Sequence, residues 1–283
     1  MTTTRLLDVH DHDRTFTAMR YVYPVLSRRA GGVSIGINLN TNNACNWHCV
    51  YCQVPGLVRG KAPPVDLDLL RSELTGFLHE AVHGDFMARH VPAGTRRITD
   101  IALSGNGEPS SAAEFAEVVD IAAAALTDFG LAGQALVRVI TNGSLVDLPQ
   151  ARAGFERLGM HGGEAWFKLD AGTRAGIQQV NGVDVDPQGV ARRLALCAQL
   201  CATWVQTCAF RYDGVALLQS QIDEYLQIIE AAGIERIRGV LLYGLARPSM
   251  QPEAGRLAAQ SEAELQAIAA RLHEKGLTVH VSP

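Results

Sequence analysis

The chain has 283 residues, 47% of them hydrophobic, and a formal net charge of −4 at pH 7. That is enough for one large core, and an α/β barrel of this length is one domain. The acidic balance, with arginine pairs scattered at Arg28-Arg29, Arg96-Arg97 and Arg192-Arg193, argues against a dedicated nucleic-acid binder and against tRNA as a substrate.

No apolar run approaches the ~18 residues of a membrane span, and the N-terminal stretch lacks the apolar core of a signal peptide. Six cysteines without an export signal imply a reducing cytoplasm.

In chain order, Met1 to Ala30 reads as a polar lead. Asp8, His10, Asp11, His12 and Asp13 suggest a metal cluster, but without an apolar frame to fix them a solvated arm is the expectation. Tyr21 to Leu26 is expected to pack on the body of the fold. Val33 to Leu39 alternates and is rich in β-branched residues, which predicts the first strand. Leu67 to about His90 carries apolar residues at helical spacing, with Gly84 as a breaker. Ile98–Leu103 is the second strand, and Ser111 to Phe129 a helix stopped by Gly130. Leu136–Thr141 is the third strand, followed by a helix from Pro149 to Leu158. Ala165 to Leu169 is the fourth strand and ends at Asp170. A helix from about Pro187 to Leu200 leads to strand five, Thr203 to Phe210. A helix from Val215 to Ala232 leads to strand six, Ile237 to Leu242. Ser261 is a plausible N-cap for a last helix to His273, stopped by Gly276, and Leu277 to Val281 forms a short closing strand.

Strand and helix alternate about six times, which predicts a parallel sheet with helices outside. The polar motifs fall just after the strands, the catalytic face of a barrel. The expectation is therefore an α/β fold in one domain over 1–283. It comprises a partial (β/α)6, TIM-like barrel over about 33–250, a short N-terminal arm, and a C-terminal cap over about 251–283.

Cys45, Cys49 and Cys52 stand at C-x3-C-x2-C spacing in one short loop. Three thiolates there suit three irons of a [4Fe–4S] cube and leave the fourth iron without a protein ligand. A zinc site needs four ligands, and His48, crowded between two cysteines, is the only local candidate. Disulfides are not expected, since three thiols cannot pair internally and nothing marks the chain as secreted, and chance spacing of buried cysteines is the remaining bland alternative.

The C-x3-C-x2-C loop, with Tyr51 before its last cysteine, resembles the radical S-adenosylmethionine (SAM) superfamily. Ser104, Gly105, Asn106, Gly107 and Glu108 resemble that superfamily's glycine-glutamate loop. By resemblance, Glu108 or its neighbouring carbonyls receive the methionyl ammonium of SAM, and glycines permit close approach of the backbone. Thr141 and Asn142, at the end of strand three, match positions that bind the ribose or carboxylate of SAM, although an Asn-Gly turn is the plain reading.

Lys168 and Asp170 lie two apart, so on a strand they share one face. Lys168 then binds a carboxylate of SAM or substrate, and Asp170 holds the lysine or a hydroxyl. An outward surface pair is the alternative, and a Schiff-base lysine has no direct support. Gln206, Tyr243 and Arg247 are candidates for the substrate end, with Arg247 suited to a planar anion. Cys197, Cys201 and Cys208 read as small core residues.

The strings SGNGEPS, ITNGSL, WFKLDAG with Asn181, VQT and LYGLARP resemble, more narrowly, iron–sulfur oxidoreductases related to wybutosine biosynthesis. The resemblance implies a [4Fe–4S] cluster, SAM as cofactor, and a flavodoxin- or ferredoxin-type electron donor. It also implies hydrogen abstraction from a substrate expected to be small and anionic. A tRNA base is the rival substrate, and a non-catalytic cluster or zinc module the rival class.

Overall fold

The computed structural model describes residues 6–8, 16–27 and 31–283. Apart from Asp8, the acidic and histidine-bearing stretch of the polar lead lies outside the described residues.

Eight strands form the main sheet and are hydrogen-bonded in strict chain order. They are β1 (Val22–Ser27), β2 (Gly32–Ile37), β3 (Ile98–Leu103), β4 (Leu136–Thr141), β5 (Glu164–Lys168), β6 (Ala202–Tyr212), β7 (Ile237–Gly244) and β8 (Val279–Ser282). The first pair, β1 and β2, is antiparallel, and every later pair is parallel. The helices are α1 (Leu67–Val82), α2 (Phe86–His90), α3 (Phe115–Asp128), α4 (Pro149–Met160), α5 (Arg174–Asn181), α6 (Pro187–Leu200), α7 (Leu217–Ser220), α8 (Ile222–Ala232) and α9 (Glu262–His273). They supply the crossovers that parallel neighbours require. Residues from β1 through β7 line one cavity, so the sheet is curled around it as an open half-barrel. Among the described residues, no helix is long and apolar enough to cross a membrane.

Local chemistry explains the helix ends. Asp66 caps α1 by accepting from Leu69 N at 3.0 Å, and Leu70, Leu74, Phe77, Leu78 and Ala81 form its buried face. The expected break falls at Gly84, between α1 and α2. Ser261 and Glu264 close a reciprocal capping box on α9.

Three elements differ from the sequence reading. Tyr21 to Leu26 does not merely pack on the sheet; β1 is its antiparallel edge strand. Strand five runs on to Tyr212, because residues Leu257–Ala259 pair antiparallel with its last three residues. The helix expected from Val215 to Ala232 opens as a two-residue strand, Val215–Ala216, and divides into α7 and α8, whereas the expected closing strand is β8, which pairs in parallel with β7.

Helix α5 was not anticipated. It has only 8 residues, too few for a clear period, but Thr173 caps its start and left-handed Gly182 (φ +65°) ends it.

Candidate active site

The cysteine loop follows β2 and is held from every side. Ala44–Cys45 pairs with Val58–Arg59. Asn40 Nδ2 donates to Ala44 O at 2.8 Å, and Asn142 Nδ2 donates to Asn46 Oδ1 at 2.8 Å. The end of α5 receives two loop amides: His48 N to Asn181 O at 3.0 Å and Val50 N to Val180 O at 2.9 Å. After β7, Ser249 Oγ donates to Val50 O at 2.6 Å, and Gln251 Nε2 to Val54 O at 2.8 Å. Satisfying these carbonyls inside the protein fixes a loop that would otherwise need water.

Cys45, Cys49 and Cys52 are free, half-buried thiols, and all three line the same cavity of about 290 Å³. Burial pushes the Cys45 thiol up to about 11, against the backbone N–H groups of Trp47 and Glu108. Burial, reinforced by the charge of Asp170, pushes Cys49 up to about 12, with Lys168 and Asn181 acting the other way. Thiols so reluctant to ionise alone become thiolates when a cation replaces the proton. Among the described residues, no three His, Cys, Asp or Glu side chains are grouped as a single bound ion requires. His48 is outside the cavity lining, with Nε2 3.9 Å from Glu253 Oε2.

The loop Ser104–Glu108 after β3 is pressed against the cysteine loop. A Cβ on Gly107 would stand 2.1 Å from Ala44 O, and one on Gly105 (φ +150°) 2.4 Å from Asn38 Oδ1. Only glycine permits that approach. Asn38 Oδ1 accepts from Asn106 N at 3.0 Å, and Ser104 Oγ meets Tyr23 OH at 3.0 Å. Asn106 Oδ1 is buried with no partner.

Glu108 is 2% exposed. It accepts from Ser110 Oγ at 2.6 Å, Ser110 N at 3.1 Å, Thr141 Oγ1 at 2.7 Å and Asn142 N at 2.6 Å. Burial raises its pKa while these donors oppose the rise. Its carboxylate therefore ties β3 to the end of β4. Thr141, expected to touch a ligand, is absent from the cavity lining; its hydroxyl donates to Glu108 and accepts from Gly143 N at 2.9 Å. Asn142 does line the cavity, but its side chain anchors the cysteine loop.

β5 ends at Lys168, so Asp170 lies just past the strand, close enough to Lys168 to raise its pKa. Asp170 lies outside the cavity lining and is 3% exposed. It accepts from Tyr51 OH at 2.5 Å, Asn181 Nδ2 at 2.9 Å and Cys208 N at 2.9 Å. The hydroxyl it holds is thus that of Tyr51.

Lys168 is half-buried and faces the cavity, with Nζ donating to Tyr243 OH at 2.9 Å and lying 4.9 Å from the centre of the Tyr51 ring. Burial opposes its charge, but Tyr243 and Asp170 outweigh it and leave the pKa raised. Gln206 is the register partner of Lys168 across β5 and β6. It is 1% exposed and lines the cavity, and its Nε2 has no partner. Tyr243 and Arg247 line the same cavity.

Deeper on the concave face lies a network that the sequence reading missed. Ser34 donates to Asp100, and Arg138 pairs with Asp100 and, at 2.7 Å, with Glu164. The Arg138 guanidinium sits 4.2 Å from the centre of the Trp166 ring, whose Nε1 donates to Glu164 at 2.9 Å. The signal available for it was a single charged residue inside each of two apolar strands, Asp100 in β3 and Arg138 in β4.

Cys197, Cys201 and Cys208 are buried; the first two share Thr203, and Cys208 reaches the cavity wall. Asn181, Ser249 and Gln251 were also not assigned roles, since their partners lie far away in sequence. No protein-family model matches this chain, and no curated protein sequence matches it at a significant level.

Proposed function

We propose that this chain is a radical SAM enzyme built on a partial (β/α)6 barrel, with Cys45, Cys49 and Cys52 as ligands of a [4Fe–4S] cluster. The observation that carries this reading is a shared cavity. Three free thiols of one loop face the same space as an unpartnered donor, Gln206 Nε2, and an unpartnered acceptor, Asn106 Oδ1.

The donor set fits a cube better than a zinc ion. Cube ligands bind different irons and need not converge on one point, whereas zinc requires four ligands around one centre. His48, the local candidate for a fourth ligand, is not on the cavity wall.

When bound, the cluster and SAM together supply one-electron cleavage of the sulfonium to a 5′-deoxyadenosyl radical, with a flavodoxin- or ferredoxin-type protein as electron donor. The chain's own residues bind, orient and exclude water. Lys168 Nζ and Gln206 Nε2 donate to a carboxylate. Asn106 Oδ1 and the carbonyls of the Ser104–Glu108 loop accept from an ammonium. Arg247, also on the cavity wall, suits a small anionic substrate. Trp47, Val54 and Leu57 wall the thiols with apolar surface, which strengthens each polar contact inside.

Anaerobic reconstitution followed by reduction with SAM tests the proposal. The expected result is about four irons and four sulfides per chain, with 5′-deoxyadenosine formed, and both lost in Cys49→Ala. Retention of both in that variant refutes it.

A further inference from the structure

Asn181 touches one of the three thiols. It is 1% exposed, at the last position of α5, and its Nδ2 lies 3.3 Å from Cys49 Sγ and 2.9 Å from Asp170 Oδ2. The orientation of the amide follows from chemistry. An ionised carboxylate only accepts, so the nitrogen of Asn181, not its oxygen, faces Asp170. That nitrogen carries two hydrogens; with one on the carboxylate, the other is directed at the sulfur.

The surroundings hold this arrangement rigidly. Asp170 is pinned from two further sides, by Tyr51 OH at 2.5 Å and Cys208 N at 2.9 Å. The cysteine loop is clamped to the same helix end by His48 N and Val50 N. The side-chain donor singles out Cys49: Cys45 Sγ instead accepts from the backbone N of Trp47 at 3.4 Å.

We propose that Asn181 is a positioning residue that sets the reduction potential of the bound cluster through an N–H···S hydrogen bond to Cys49. The inference rests on the cluster proposed above. Reduction adds negative charge to the cluster and its sulfurs, and a donor on a sulfur stabilises that charge and raises the potential. Asp170, one bridge behind, acts in the opposite sense, and the Asn181 amide stands between the carboxylate and the sulfur.

The test is a mediated redox titration of reconstituted protein, followed by the electron paramagnetic resonance signal of the reduced cluster. Asn181→Leu keeps the shape and removes both donors. Its midpoint is expected to move negative by about a factor of ten in the reduction equilibrium, which is 59 mV for one electron, with iron and sulfide per chain unchanged. Tyr51→Phe removes a donor from Asp170 without touching the sulfur, and its shift is expected to be clearly smaller.

An unchanged midpoint in Asn181→Leu overturns the inference, as does an equal shift in Tyr51→Phe. If the leucine variant does not load, Asn181→Ala is titrated in its place with the same expectation. Failure of both to load also overturns the tuning role, leaving Asn181 as a support of the loop. A wild type that holds no [4Fe–4S] cluster refutes the proposed function instead, so the two failures are distinguishable.

Discussion

The concave face of the sheet carries two polar regions with opposite bookkeeping. On the floor, Ser34, Asp100, Arg138, Glu164 and Trp166 bond to one another across β2 to β5, and none of their polar atoms is among the buried groups without a partner. At the mouth, Gln206 Nε2 and Asn106 Oδ1 are buried without partners, and Lys168 makes one hydrogen bond where an ammonium offers three. A closed network specifies the fold, whereas open donors and acceptors in a cavity await a ligand. The same curled sheet therefore supports a structural base and a binding mouth.

The sharpest break in that contrast is Arg138→Met. It strands Asp100 and Glu164 in the interior, and breaking a buried ion pair costs about 3–5 kcal/mol. Denaturant unfolding is expected to show that loss. A stability change under about 1 kcal/mol would mean that the floor is not structural.

The mouth should behave in the reverse way. Lys168→Met is expected to weaken SAM binding to the reconstituted protein by roughly ten- to a hundred-fold, the worth of a charge-assisted hydrogen bond. The unfolding midpoint should barely move. Calorimetric titration and denaturation measure the two separately.

Gln206→Leu sharpens the comparison because its two effects have opposite signs. Ligand binding falls by about three- to tenfold. The ligand-free protein becomes more stable by about 1 kcal/mol, because a buried donor without a partner is removed. Destabilisation of the ligand-free form would show that this amide has a structural partner.

A further test is a pH dependence. Burial holds the Cys45 and Cys49 thiols protonated up to about 11 and about 12, against 9.0 for an ordinary thiol. Their contribution is present in full below pH 9 and is lost as pH rises through the folded values. The cluster-free protein is thus expected to lose stability between about pH 9 and pH 12, and Cys49→Ala should flatten that slope. An identical slope in the variant contradicts the assignment.

Much of the frame was legible in the sequence because its signals are local. β3 and β4 fall at Ile98–Leu103 and Leu136–Thr141, as the apolar runs predict, and α6 spans Pro187–Leu200. The cysteine and glycine loops were also legible, as spacing and glycine content within a few residues. What was not legible depends on distance. Asn181 reaches Cys49 over 132 positions, and Ser249 reaches Val50 over 199. Asp170 lies just past the end of β5, and its partners Tyr51 and Asn181 come from other segments. Glu108, which lines the cavity, and Thr141, which does not, are joined by a hydrogen bond that their sequence positions do not announce.

The most direct test of the central claim asks whether a fourth iron is open to a ligand. The electron paramagnetic resonance spectrum of the reduced, reconstituted protein is recorded with and without SAM. The account predicts a [4Fe–4S] signal whose shape changes when SAM is added, and no such change in Lys168→Met at the same SAM concentration. A protein that takes up zinc in place of iron, or a cluster signal indifferent to SAM, would contradict it.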